Sequence, residues 1–124
     1  MGKWGERLAA RHLRGKGYRI LGRRVRMGRR DELDIVARDG DSLVFVEVKA
    51  RSSETYGRPV ASVDREKRQA LSRAAVAYLQ KLKFPPLYFR FDVVEVVGEC
   101  GAAQPSINHI ENAFTLDGRY QLPF

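Results

Sequence analysis

The segment DSLVFVEVKA, residues 41–50, constrains the fold more than any other part of the chain. It contains an almost continuous apolar run, which predicts a buried β-strand formed by Leu43, Val44, Phe45, Val46 and Val48. Glu47 and Lys49 interrupt this run. A charged side chain in a buried strand is costly unless it is paired or has a function. The segment therefore predicts a core strand that carries chemistry.

The remaining pattern predicts two helices and four more strands. We expect a helix from Trp4 to Leu13, strands over 18–27, 32–38 and 43–51, a helix that follows Ser62 or Asp64 and ends before Pro85, and strands over 87–97 and 106–114. The order α-β-β-β-α-β-β predicts an α/β fold with a mixed central β-sheet flanked by helices. We expect a single domain over residues 1–124.

Positive charge is concentrated in the first 30 residues. That segment has eleven Lys and Arg residues against one acidic residue, Glu6, which gives +10, whereas residues 31–124 have twelve against fourteen, which gives −2. An Arg-rich composition explains the preference for Arg over Lys but not this segregation. We therefore expect a polyanionic partner, nucleic acid, near the N-terminal third of the chain.

The sequence shows no pattern typical of a membrane or secreted protein. No apolar run reaches the length of a membrane span, and the N-terminal segment MGKWGERLAA lacks the apolar core of a signal peptide. The single cysteine, Cys100, excludes an internal disulfide and a thiolate zinc site. We expect a cytoplasmic protein without a membrane partner.

A tight turn predicted at Asp39 and Gly40 brings two acidic residues close together. Pairing across this turn places residues whose numbers sum to 79 or 80 opposite each other, so Glu47 is expected one step out of register with Asp34. A bulge or a small register shift would bring both carboxylates onto one face of the sheet. Lys49 would lie beside Glu47, because residues two apart on a strand share a face.

Such a trio has a known chemical use. Two clustered carboxylates bind a hard divalent cation, Mg²⁺ or Mn²⁺, which polarises a phosphoryl oxygen and lowers the pKa of bound water. Lys49 can orient that water or neutralise charge in the transition state. Glu6, on the first helix, can support the ion through water. The alternative is that Glu47 and Lys49 form only a solvated surface.

The segments ELDIVARDG and LVFVEVKAR resemble the nuclease signature PD-(D/E)XK, with Asp34 as the aspartate and Glu47, Val48 and Lys49 as the ExK element. Other segments extend the resemblance over nearly the whole chain: GERLAARHLRGKGYRIL, GRPVASVDREKRQAL, YFRFDVVEV and INHIENAF. On these segments the sequence resembles the YraN family of uncharacterised bacterial proteins, which are described as predicted endonucleases.

The resemblance implies a restriction-endonuclease-like fold, similar to that of Holliday junction resolvases. It implies Asp34, Glu47 and the backbone carbonyl of Val48 as metal ligands, and Lys49, with the same two carboxylates, as catalytic residues. The acid on the first helix corresponds to Glu6. Resolvases of this kind act as dimers on branched DNA, so the resemblance also implies a homodimer.

One position departs from the family pattern. Members commonly have Gly-Glu-(Ile/Leu)-Asp where this chain has Asp31-Glu32-Leu33-Asp34. Asp31 either requires a different turn or adds negative charge near the metal. Glu32 is expected to point away from the metal or to act indirectly.

Eight basic residues are candidate nucleic-acid contacts. Arg51 and Arg58 flank the loop that leaves the predicted site. Lys67, in the first turn of the second helix, faces DNA phosphate or the site, or else lies on the surface without a role. The others belong to the basic N-terminal segment: Arg23, Arg24, Arg26, Arg29 and Arg30.

These features predict a metal-dependent DNA endonuclease that hydrolyses phosphodiester bonds, with branched or otherwise structured DNA as a candidate substrate. The alternative is a non-catalytic nucleic-acid-binding module that keeps the nuclease fold. A third hypothesis is a partner-docking protein in DNA uptake or repair.

Overall fold

A computed structural model describes residues 2–52, 63–86, 88–99 and 104–118 of the chain. The elements are α1 (Gly2–Gly15), β1 (Arg19–Met27), β2 (Asp31–Asp39), β3 (Ser42–Arg51), α2 (Arg65–Gln80), β4 (Tyr88–Val97) and β5 (Ser106–Phe114). The predicted order and the α/β class are confirmed. Arg58 and Cys100 lie outside the described residues.

The five strands form one mixed sheet in the order β1-β2-β3-β4-β5. Neighbouring strands are antiparallel except β3 and β4, which are parallel. Parallel neighbours need a crossover connection, and α2 lies in the connection between these two strands. None of the described helices is long and apolar enough to cross a membrane.

Among the described residues, one helix lies on each face of the sheet. On one face α1 buries Leu13 against Val44 and Val46, and on the other face α2 buries Leu71 against Phe45. Because both faces of β3 are buried, its sequence is a continuous apolar run rather than an alternating one. Its three charged residues, Glu47, Lys49 and Arg51, lie in the second half of the strand, where burial decreases along the chain.

The β2–β3 hairpin differs from the expected one by a single residue. Asp39 pairs with Ser42, so the two-residue loop is Gly40–Asp41 rather than Asp39–Gly40. Gly40 has a φ of +58°, which glycine adopts without steric cost. The numbers of paired residues consequently sum to 81, and the predicted sum of 79 or 80 is wrong.

Asp31 connects the start of β2 to α2. Its carboxylate accepts two hydrogen bonds of 2.7 Å from the guanidinium of Arg73. These hydrogen bonds lower the pKa of Asp31. The acidic residue at this position is thus explained by a bidentate ion pair that holds α2 on the sheet.

Replacing Asp31 with alanine is expected to lower the free energy of unfolding by about 1–2 kcal/mol, because it removes a charge-assisted bidentate pair. Urea unfolding of Asp31→Ala, Arg73→Ala and the double variant measures the coupling between the two side chains. Strictly additive effects of the two single substitutions would contradict a stabilising pair.

A second group of buried charges joins β4 to β5. Asp92 is fully buried and accepts hydrogen bonds from the Arg90 side chain at 3.0 Å and the Asn112 N–H at 2.9 Å. The ring Nε2 of His109 lies 2.7 Å from the same carboxylate. Burial alone would raise the pKa of Asp92, but the bonds from His109, Asn112 and Arg90 keep it below the usual value. This group is satisfied internally and stabilises the sheet.

Candidate active site

Asp34 and Glu47 meet where the β2–β3 ladder ends. The last pair of this ladder is Ile35 with Val46, and the next position along the register places Asp34 level with Glu47. Beyond that pair, the N–H of Val48 donates to Asp34 Oδ2 at 2.9 Å. The Asp34 side chain thus satisfies a strand N–H beyond the last backbone pair, which fixes the carboxylate next to β3.

Glu47 is a buried carboxylate shared by two lysines. The residue is 4% exposed, and its Oε2 lies 3.6 Å from Lys49 Nζ and 3.4 Å from Lys67 Nζ. Its Oε1 has no hydrogen-bond partner within the part of the chain that the structure describes. Lys67 comes from the first turn of α2, which Asp64 caps by accepting from the Lys67 N–H at 2.8 Å.

The two carboxylates repel each other. Burial, and then the negative charge of Glu47, raise the pKa of Asp34 to about 7. The N–H of Val48 and the ammonium of Lys67 act in the opposite direction but do not cancel these effects. A cation bound between the carboxylates would remove the conflict, because an opposite charge favours the ionised form of both.

The donor set fits a hard cation with a partly hydrated shell. Among the described residues, no three or more His, Cys, Asp or Glu side chains lie close enough together to hold a metal ion. Asp34 and Glu47 nevertheless supply two carboxylates, one of which has a buried oxygen without a partner. Mg²⁺ is commonly held by one or two carboxylates and keeps several waters, so these residues suit Mg²⁺ or Mn²⁺.

A cleft of about 140 Å³ lies on the side of Asp34, between α1 and the sheet. It is lined by Gly2, Glu6, Arg24, Glu32, Asp34, Val48 and Ala50. The helix approaches β3 closely at Gly5, where an added Cβ would lie 3.0 Å from that of Ala50. This close approach brings the following residue, Glu6, into the cleft.

Glu6 and Glu32 both reach the cleft, but in different ways. Glu6 is 4% exposed, and its Oε2 accepts a hydrogen bond from Arg24 Nε at 2.6 Å. Glu32 is exposed and lines the same cleft as Asp34, so the alternative that it points away is wrong, and its indirect role stays a prediction. Residues two apart on a strand face the same side, and this rule applied to the sequence would have placed Glu32 correctly.

The other predicted nucleic-acid contacts fall into two groups. Arg51 is largely buried, and its guanidinium is paired with the carboxylate of Glu95. Four other predicted contacts are exposed on β1 or in the β1–β2 connection: Arg23, Arg26, Arg29 and Arg30. Arg51 thus forms an ion pair inside the fold, whereas the four exposed arginines are accessible to a ligand.

These features define an α/β protein with a carboxylate–lysine cluster that begins where the antiparallel β2–β3 ladder ends and lies within the parallel pairing of β3 with β4. Over residues 5–96 the sequence matches the family described as "Uncharacterised protein family UPF0102". The chain belongs to this family, and the resemblance to the YraN family is confirmed.

Relatives of similar length occur in diverse bacteria. A UPF0102 protein of Chlorobaculum tepidum is 45% identical over 120 residues, which cover 94% of this chain and 92% of the relative. A UPF0102 protein of Syntrophomonas wolfei is 46% identical over 117 residues, which cover 92% and 96%. One from Symbiobacterium thermophilum is 48% identical over 96 residues, which cover 77% and 80%.

Proposed function

We propose that this protein is a Mg²⁺- or Mn²⁺-dependent DNA endonuclease that hydrolyses phosphodiester bonds. The proposal rests on the position of Asp34 level with Glu47, just beyond the last pair of the β2–β3 ladder. Within the described residues, the buried Oε1 of Glu47 has no hydrogen-bond partner. Lys49 completes the set, with its ammonium 3.6 Å from Glu47. A buried pair of like charges is costly, and a metal site gives it a function.

Each residue of the set has a distinct role in the proposal. Asp34, Glu47 and the backbone carbonyl of Val48 would hold the ion, which when bound supplies a polarised phosphoryl oxygen and an activated water. Lys49 places a positive charge where negative charge develops on the phosphoryl group. Lys67 supplies a second ammonium on the same carboxylate and helps to neutralise the approaching phosphate.

The exposed arginines support DNA as the substrate. β1, which carries Arg23 and Arg26, is the neighbour of the strand that carries Asp34. A duplex laid across this edge would contact the basic segment while one strand enters the site. Branched or otherwise structured DNA and a homodimeric enzyme are the parts of the proposal that rest on the resemblance to resolvases.

A non-catalytic nucleic-acid-binding module is the competing proposal, and one observation favours it. Glu47 already has two ammonium groups within 4 Å, so the trio can exist as a closed ion-pair cluster without a metal. In that case the basic segment would bind DNA, and no divalent ion would produce cleavage.

Cleavage of end-labelled DNA separates the two proposals. Linear, flapped and four-way-junction substrates are incubated with wild type or Glu47→Gln in EDTA, Mg²⁺ or Mn²⁺. We expect metal-dependent cleavage that falls at least about 100-fold in Glu47→Gln, because the buried ligand charge is lost. Asp41→Asn, an exposed acid in the hairpin loop at the other end of β3, is the matched control. Gel shifts without cleavage under any ion would instead establish the binding module.

A further inference from the structure

Arg24 reaches the cleft through an unusual backbone conformation. Its φ is +50°, in the left-handed region that residues other than Gly, Asn and Asp rarely adopt. The pairing of its two neighbours with β2 places Arg24 level with Asp34. Because β1 is an edge strand, the irregularity disturbs only one ladder. A strained residue of this kind, located in a candidate site, points to a function.

Glu6 holds the Arg24 guanidinium in place. The 2.6 Å bond from Nε uses one of the five N–H donors of the group. Nη2 lies against the start of α1, where a Cβ added to Gly2 would be 3.3 Å away. Within the described ranges, neither Nη group has a hydrogen-bond partner, and the side chain is 45% exposed. The remaining donors are therefore available to a ligand.

We propose that Arg24 binds a phosphate of the nucleic-acid strand that enters the cleft, and that Glu6 is its positioning partner rather than a metal ligand. The inference rests on the proposed function in one respect, namely that the bound strand is the substrate. A guanidinium matches phosphate geometry through two parallel N–H donors. It also offsets the negative charge of Glu32 and Asp34, which share the cleft and repel a phosphate.

DNA binding in EDTA tests the role of Arg24 without requiring cleavage. Fluorescence anisotropy of a labelled four-way junction is measured over a KCl series for wild type and Arg24→Asn. Asparagine tolerates the left-handed conformation, so this variant removes the charge while keeping the backbone. We expect affinity to fall about five- to tenfold and the slope of log affinity against log salt to decrease by about one.

Two further variants control the binding measurement. Arg38→Asn removes the same charge from an exposed arginine that donates to the Gly40 carbonyl in the β2–β3 hairpin, and it should weaken binding less than about twofold. Arg24→Lys keeps the charge but loses the planar fork, so an intermediate affinity is expected. Thermal unfolding of each variant shows whether the fold is kept.

Calorimetric titration with Mn²⁺ tests the role of Glu6. Glu6→Gln should bind Mn²⁺ within about twofold of wild type, whereas Glu47→Gln should bind it at least about tenfold more weakly. Equal losses of Mn²⁺ affinity in Glu6→Gln and Glu47→Gln would show that Glu6 is a metal ligand. That result would overturn the proposal that Glu6 positions Arg24.

The binding data also separate this inference from the proposed function. If Arg24→Asn binds DNA with the same affinity and the same salt slope as wild type, the phosphate contact is overturned. Arg24 would then form only an ion pair between α1 and β1. A wild-type protein that binds no DNA would overturn the phosphate contact as well. If wild type binds DNA but never cleaves it, and Arg24→Asn binds more weakly, the nuclease proposal fails and the phosphate contact stands.

Discussion

Asp34→Asn is expected to lower the cleavage rate by at least about 1,000-fold and, without metal, to make the protein more stable at pH 8. Loss of a ligand removes several kcal/mol of transition-state stabilisation, which corresponds to about three powers of ten in rate. Asparagine keeps an oxygen that can accept the hydrogen bond from the Val48 N–H, so the local structure should persist. When a residue serves function at the expense of stability, replacing it should lower the activity and raise the free energy of unfolding.

The gain in stability has a definite pH dependence. Burial and the charge of Glu47 raise the pKa of Asp34 from 3.8 to about 7 in the folded state. The folded protein therefore binds more protons than the unfolded chain between these values, and its free energy of unfolding falls as the pH rises towards 7. Since asparagine does not titrate, Asp34→Asn should gain about 1–3 kcal/mol over wild type at pH 8 and almost nothing at pH 4.

Urea unfolding at pH 4, 6 and 8 measures this difference, with Asp41→Asn as the control that should follow wild type. Addition of Mn²⁺ should stabilise wild type at pH 8 but not Asp34→Asn, because a ligand stabilises the state that binds it. An Asp34→Asn protein that is less stable than wild type at pH 8 would show that this carboxylate is a structural group.

Lys49→Ala is expected to reduce the cleavage rate about 100- to 1,000-fold while Mn²⁺ affinity stays equal or rises. Loss of one preorganised charge at a developing oxyanion has an effect of that size. Affinity for metal should not fall, because the ammonium 3.6 Å from Glu47 competes with a cation for that carboxylate. Single-turnover kinetics and calorimetry measure the two effects separately.

Lys67→Ala is the informative comparison for this variant. Its ammonium is 3.4 Å from the same carboxylate but belongs to a more exposed side chain, 41% against 30% for Lys49. We expect a smaller loss of rate, about tenfold, because solvent screens the charge more strongly. Equal losses would mean that the two lysines share the catalytic role.

The sequence was sufficient to predict the fold because each element has a strong local signal. The apolar run of β3 and the Asp64 cap of α2 predicted their elements, and the glycine at position 40 predicted a turn. The position of the turn within that hairpin was wrong by one residue. Both Asp39–Gly40 and Gly40–Asp41 suit a two-residue loop, and only the packing of both strand faces decides between them.

The candidate site was predicted in part. Sequence spacing identified the acidic pair, and the one-residue shift of the hairpin explains why Asp34 stands level with Glu47 without a further bulge in β3. Long-range pairs could not be predicted, since they depend on how α2 packs on the sheet. The ion pair of Asp31 with Arg73 is of this kind, and for Lys67, which pairs with Glu47, the sequence offered the site only as one of several positions.

The left-handed conformation of Arg24 had no sequence signal at all. Arginine is an uncommon residue for this conformation, so nothing in the sequence distinguished it from the other arginines of β1. Its contact with Glu6 joins residues 18 apart and became visible only with the fold. This contact carries the proposal that Glu6 positions Arg24, whereas the sequence had predicted that Glu6 supports the ion through water.

Single-turnover cleavage across a Mn²⁺ titration, with wild type and Glu47→Gln side by side on the best substrate of the DNA panel, tests the proposed metal site most directly. Wild type should cleave with a saturable dependence on Mn²⁺ and show no activity in EDTA. Glu47→Gln should need at least about tenfold more Mn²⁺ and reach a much lower maximal rate. Cleavage in EDTA, a Glu47→Gln curve that overlays that of wild type, or no cleavage by wild type at any Mn²⁺ concentration would contradict a metal site built on Asp34 and Glu47.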